Sequence, residues 1–246
     1  MELVNGFQHN VETSLNDGPS ITASETNEAS QLPIFAARLA LIREAKRNLN
    51  LVIIGETGSG KTTQIPQYLY KSGFGRLGII ACTQPRRVAA ISIAERVAQE
   101  MGVNLGTKVG YTVRFQDVTS PNTRVKYMTD GMLLREAVGD PLLKCYGVVV
   151  LDEAHERTMH TDVLFGVVKR AQGVRAEKGM RPLKVIVMSA TLEAEPFSKY
   201  FGNAKILYIE GRQYPVQTFY TEEQQTDYLH AALTAAVQLH NEQPQG

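Results

Sequence analysis

From residue 51 onward the chain alternates short apolar runs with stretches whose apolar residues recur every three or four positions. Residues 51–54, 77–83, 147–151 and 183–188 are nearly all apolar, the pattern of strands covered on both faces. Helical spacing follows three of them, over 60–70, 86–101 and 161–171. Two more strands, 109–115 and 123–128, lead into a helix over 131–138. Ahead of all these, Phe35, Leu39 and Ile42 recur at helical spacing after Pro33 and predict a first helix to about Lys46. Residues 208–209 and 216–220 read as late strands and 227–240 as a closing helix. This order predicts an α/β fold with a mostly parallel sheet and helices on both faces.

The ends differ in texture from the middle. Residues 1–31 are rich in Ser, Thr, Asn and Glu and lack apolar periodicity, so a disordered tail is expected there. The domain is expected over 32–220, with a helix and tail over 221–246. Charge follows the same division. The total is 26 Lys and Arg against 25 Asp and Glu, a formal +1 that argues against a polyanionic partner. Yet nine of the acids lie in 1–32 and 221–246, where there is no Lys or Arg. All 26 cations therefore face only 16 acids in 33–220, a local surplus of +10.

Several classes drop out. No apolar run approaches the ~20 residues of a membrane-spanning helix. No cationic start followed by an apolar stretch marks a secretory signal. Cys82 and Cys145 lie in apolar segments, which fits a reducing, intracellular setting. The five His are scattered and show no zinc-ligand spacing, so no structural metal is expected.

The chemistry begins where the first apolar strand runs into Gly55-Glu56-Thr57-Gly58-Ser59-Gly60-Lys61-Thr62, a full match to G-x-x-x-x-G-K-[ST] between a strand and a helix. The glycines let backbone N–H groups curl around phosphate oxygens, and the helix offers its positive end. Lys61 supplies a charge to the phosphates and Thr62 a hydroxyl to Mg²⁺. Hydrolysis also needs a carboxylate for the metal and a base for water at a neighbouring strand end. The strand at 147–151 ends in Asp152-Glu153. Asp152 is then the metal carboxylate, and Glu153 the residue that orients and deprotonates water close to the metal. The plainer alternative is a pair of solvated or helix-capping acids.

Asp152-Glu153-Ala154-His155, taken with the phosphate loop, resembles the signature of a DEAH-box RNA helicase of superfamily two. Four further blocks are similar to that family's motifs, in order: Thr83-Gln84-Pro85-Arg86-Arg87, Thr129-Asp130-Gly131, Ser189-Ala190-Thr191 and Gly211-Arg212-Gln213-Tyr214-Pro215-Val216. The resemblance covers roughly 33–240 and is nearest the nucleolar type linked to ribosomal RNA synthesis, which implies a nuclear or nucleolar location. It implies a RecA-like P-loop NTPase domain, with Thr63 joining the phosphate contacts and Arg96 stacking on the nucleotide base, which loosens discrimination among ATP and other NTPs. For Arg96 a solvated helix arginine is the alternative.

RNA would meet Arg86, Arg87, Thr129, Asp130 and Gly131 through its backbone, without sequence preference. Arg114 and Lys126 are further candidates, with ordinary surface charge as the alternative. His155, Ser189 and Thr191 are implied to couple nucleotide state to RNA. The family also carries a second RecA-like domain with arginine fingers, then accessory domains. Since 221–246 holds no Arg, we expect a truncated chain with little activity alone. A non-catalytic nucleotide- or RNA-binding adaptor, acting as a short competing isoform, is the alternative. A P-loop enzyme acting on a small molecule or on DNA translocation fits less well, since the blocks at Thr83–Arg87 and Thr129–Gly131 have no obvious use in a small-molecule kinase.

Overall fold

The computed structural model describes residues 30–211, 218–221 and 224–242. The chain divides into two compact units, Met1–Arg212 and Gln213–Gly246. In the first run α1 (Pro33–Arg47), β1 (Asn50–Gly55), α2 (Lys61–Lys71), β2 (Ile79–Gln84), α3 (Arg87–Glu100), β3 (Val109–Val113) and β4 (Gln116–Val118). They continue as β5 (Val125–Thr129), α4 (Asp130–Gly139), β6 (Tyr146–Leu151), α5 (Met159–Glu177), β7 (Lys184–Ser189), α6 (Glu195–Tyr200) and β8 (Lys205–Ile209). The second unit carries α7 (Tyr228–Glu242). The tail expected at 1–31 lies outside the described residues except for Ser30 and Gln31, as do Arg212 to Val216 of the last block. Of the strand expected over 216–220, residues 216–217 lie outside and 218–220 form no strand.

One eight-stranded sheet has the order β4-β3-β5-β2-β6-β7-β1-β8, and only the β3–β4 pair is antiparallel. Alternate strand residues serve two cores. Ile53, Val148, Val150, Ile186 and Met188 pack with α1, α2 and α3. Val52, Ile54, Val149, Leu151, Val185 and Val187 pack with α4, α5 and α6. Burial on both faces explains why these strands read as continuous apolar runs. Because the strands are parallel, the ends of β1, β2, β5, β6 and β7 share one edge. In an open α/β sheet that edge is where ligands bind.

Two expectations change, and two elements were not foreseen. The first helix buries Ile34, Leu41 and Ala45, whereas Phe35 and Leu39 are exposed; only Ile42 of the expected stripe packs against the core. The run 109–115 is cut at Val113, because Arg114 and Phe115 turn the chain into β4. β4 itself gave no signal, since Gln116 and Asp117 are exposed on an edge strand. α6 is a six-residue helix, too short to show periodicity.

One buried cation ties a loop to the sheet. Arg175 of α5 is fully buried and donates to the backbone carbonyls of Leu142 at 2.7 Å, Tyr146 at 3.1 Å and Leu143. These carbonyls enter β6, the strand that carries Asp152. Arg175→Met removes all three donors and leaves buried carbonyls unmatched, each worth about 1–3 kcal/mol. The urea midpoint is expected to fall by an amount corresponding to roughly 3 kcal/mol or more, with the slope of the transition unchanged.

Candidate functional site

The edge is organised by a single carboxylate. Asp152 follows β6 and is 1% exposed. Its Oδ2 accepts from the Thr62 hydroxyl at 2.6 Å and from Gln84 Nε2 at 2.6 Å, and its Oδ1 from the Glu153 amide at 2.8 Å. Thr62 belongs to α2 and Gln84 ends β2, so three separate elements meet on one side chain. Burial pushes the Asp152 carboxyl up to about 6, with the bonds from Thr62, the Glu153 amide and Gln84 pulling the other way.

The phosphate loop joins β1 to α2. Gly58 and Gly60 adopt φ of 80° and 89°, which side chains rarely tolerate. Lys61 Nζ lies inside the loop, donating to the carbonyls of Gly55 at 2.5 Å and Glu56 at 2.8 Å and to Ser59 Oγ at 3.2 Å. Burial lowers its pKa, while Asp152, Glu153 and Glu56 oppose that. Pro66 sits within α2 and has no N–H for the Thr62 carbonyl four residues back. The hydroxyl of Tyr127, from β5, donates to that carbonyl at 2.9 Å instead.

A cleft of about 330 Å³ opens here, lined by Thr57, Gly58, Gly60 to Thr63, Glu153, Arg96, Glu100 and Leu32. Arg96 Nε donates to Glu100 Oε1 at 2.7 Å. Gln64 and Gln67 of α2 donate to the other Glu100 oxygen at 2.8 and 2.7 Å. The guanidinium is therefore anchored at the cleft wall by a mostly buried carboxylate.

Glu153 sits in the left-handed region at φ 51°, ψ 35°, a strained conformation for a residue other than glycine. Its Oε2 lies 3.6 Å from His155 Nε2. His155 Nδ1 in turn accepts from the Ala190 amide at 3.3 Å. Ser189 and Thr191 hydroxyls are 3.2 Å apart, so the three residues expected to act together are grouped at the ends of β6 and β7. Thr62, Asp152 and Glu153 offer only oxygen donors, which suits a hard cation. Among the described residues no group of three or more His, Cys, Asp or Glu forms a protein-only metal cage. Mg²⁺ does not need one, since it uses one or two carboxylates together with phosphates.

The cations expected on the other half of the edge fare unequally. Arg86 is exposed and pairs with Glu156 at 3.1 Å. Arg87 donates to Gln116 at 3.3 Å, and Arg114 lies 4.8 Å over the Phe115 ring. Thr129 and Gly131 are half-buried at the end of β5. Two candidates are corrected. Lys126 is buried and bonded to Glu136 at 2.7 Å and Tyr146 at 3.3 Å, so it cannot reach a ligand on the surface. Asp130 is 2% exposed, and its carboxylate accepts from Thr161 at 2.6 Å, turned inward away from any strand. Burial also raises the Asp130 carboxyl. Sequence reasoning missed Gln84, Glu100 and Tyr127 in supporting roles. Gln84 lay inside a quoted block, and Pro66 in a helix marked a carbonyl in need of a donor.

A family model described as DEAD/DEAH box helicase matches residues 36–199. The ATP-dependent RNA helicases DHX33 of Mus musculus and of Homo sapiens are each 64% identical over 213 residues. That match covers 87% of this chain and 30% of each relative, so the chain spans under a third of the length of these curated relatives.

The Asp152 environment has a thermodynamic signature. Its pKa is raised on folding, so the folded state holds more protons between about pH 4 and 6, and stability falls as pH rises through that window. Asp130 adds to the same trend. Asp152→Asn removes this titration, so the decline in melting temperature between about pH 4 and 6 is expected to be shallower than in the native chain; thermal melts across that range check it.

Proposed function

Because this chain belongs to the DEAD/DEAH box helicase family, we propose that it is the ATP-binding motor domain of an ATP-dependent RNA helicase. It hydrolyses ATP to drive RNA unwinding or ribonucleoprotein remodelling when joined to a second RecA-like domain. The observation that carries this reading is the 2.6 Å hydrogen bond from Thr62 to Asp152, which joins the phosphate loop to the strand-end carboxylate. A phosphate cradle alone only binds; with this carboxylate and Glu153 at its rim, it is equipped for hydrolysis.

The amides at the start of α2 and the Lys61 ammonium receive the β- and γ-phosphates. Thr62 and Asp152 would hold Mg²⁺, which when bound neutralises charge on the phosphate oxygens. Glu153 orients water and takes its proton as it attacks the γ-phosphorus, while the bond to the β–γ bridging oxygen breaks and ADP leaves with that oxygen. Arg96, fixed by Glu100, lies against the base. A planar cation stacks on any base, so other NTPs serve as well as ATP. RNA runs along the ends of β3, β5 and β2, with its phosphates against Arg86, Arg87 and Arg114 and no base read. His155, bonded to the Ala190 amide beside Ser189 and Thr191, relays the nucleotide's state along this edge.

In the protein joined to its second domain, Glu153→Gln is expected to retain nucleotide binding and lose RNA-stimulated phosphate release about 10²–10⁴-fold. Lys61→Ala should lose binding as well. Unchanged turnover in both overturns the catalytic reading, and binding without any turnover in the unmutated protein favours an adaptor. On this chain itself, three phosphate contacts on single-stranded RNA predict an affinity loss of about 20-fold between roughly 50 and 200 mM salt. A salt-insensitive affinity, read by fluorescence anisotropy with a uridine oligonucleotide, contradicts the backbone contacts.

A further inference from the structure

Gln84 ends β2, with its backbone in register with Thr129 of β5, and Thr83 before it is in register with Leu151 of β6. From that position its side chain reaches across to the neighbouring strand end and donates Nε2 to Asp152 Oδ2 at 2.6 Å. The residue is 2% exposed. The same carboxylate oxygen takes the hydroxyl hydrogen of Thr62 at 2.6 Å. These two donors arrive from opposite sides, one from the phosphate loop and one from the strand that leads into Arg86 and Arg87.

We propose that Gln84 is a positioning residue for the metal-binding carboxylate: its amide fixes the Asp152 rotamer in which the carboxylate accepts from Thr62, a residue that lines the cleft. The inference rests on the nucleotide–Mg²⁺ reading of that cleft. Thr62 has a double task there, since its oxygen must face the cation while its hydrogen stays on Asp152. Gln84 has one. It holds Oδ2 whether or not the hydroxyl turns, so the carboxylate is preset before a cation arrives. A donor two residues ahead of Arg86 also shares the backbone of the loop offered to RNA, so displacement of that loop moves the amide that holds Asp152.

The role separates from a merely structural one through the metal. Binding of fluorescent N-methylanthraniloyl-ADP to the whole chain is measured across a Mg²⁺ titration and in EDTA. Gln84→Met keeps the side-chain length and removes the donor. It is expected to leave the affinity in EDTA unchanged and to move the Mg²⁺ midpoint up about 10-fold, as loss of an outer partner of a metal ligand does. Excess Mg²⁺ should restore the affinity of the native chain. Thr62→Val, which removes a ligand outright, should not be rescued in this way.

If Gln84→Met leaves the midpoint in place while Thr62→Val moves it, Gln84 does not position the carboxylate and the site reading stands. Equal loss of affinity with and without Mg²⁺ in Gln84→Met likewise overturns the inference, since it marks a packing role. If the native chain shows no Mg²⁺-dependent binding that Lys61→Ala abolishes, the reading of the cleft itself falls.

Discussion

A carboxylate that is buried, aimed and still useful is the constraint around which this edge of the sheet is built. Removing Asp152 from water disfavours its charge, so the fold must supply donors in compensation, and it does so from α2, from β2 and from the next amide along the chain. Each donor has to be held by something else. Thr62 stays in place because its helix is pinned by Tyr127 across the Pro66 gap. β6, which delivers Asp152, is seated by the three carbonyls that Arg175 gathers. Buried polar networks of this kind are stable only when nearly every member is matched.

The opposite half of the edge follows a different logic. Arg86 and Arg114 stand in water, with partners whose individual hold is weak: an ion pair with Glu156 and a ring face that is itself 88% exposed. Exposed pairs contribute about 0–1 kcal/mol. A phosphate can replace such partners at little loss, whereas nothing readily displaces the donors around Asp152. Permanent order around Asp152 and exchangeable order at the proposed RNA side would suit a device that grips one ligand firmly and lets another slide.

Most of the sheet was legible because two-sided burial writes an apolar run into each central strand. The phosphate loop was legible because glycines at positive φ and a lysine at fixed spacing leave few alternatives. What escaped did so for physical reasons. The buried stripe of α1 uses Ile34, Leu41 and Ala45, and alanine carries little hydrophobic signal, so Phe35 and Leu39 looked better qualified than they are. Lys126 and Asp130 are charged residues that the fold hides by pairing, and pairing partners ten or thirty-one positions away are not visible along a chain. Tyr127 supports the site only through a tertiary contact, and Glu100 adds two long-range bonds from Gln64 and Gln67 to its local pair with Arg96. Their sequence context is that of any helix glutamate or strand tyrosine.

The strand order also sets a timetable. β1, which delivers the phosphate loop, hydrogen-bonds only to β7 and β8, formed by residues 184–189 and 205–209. On a ribosome, β1 is made early and waits more than a hundred residues for either neighbour. During that interval its apolar face and unpaired backbone must be shielded, and closing so long a loop is entropically slow. The strands β3 and β5, by contrast, are separated by only eleven residues and can pair promptly. The half of the edge proposed to face RNA is thus able to form while the chain is still growing. The cleft around the phosphate loop cannot close until almost the whole first unit has emerged, so under the proposed function an incomplete chain would have no formed site to offer a nucleotide.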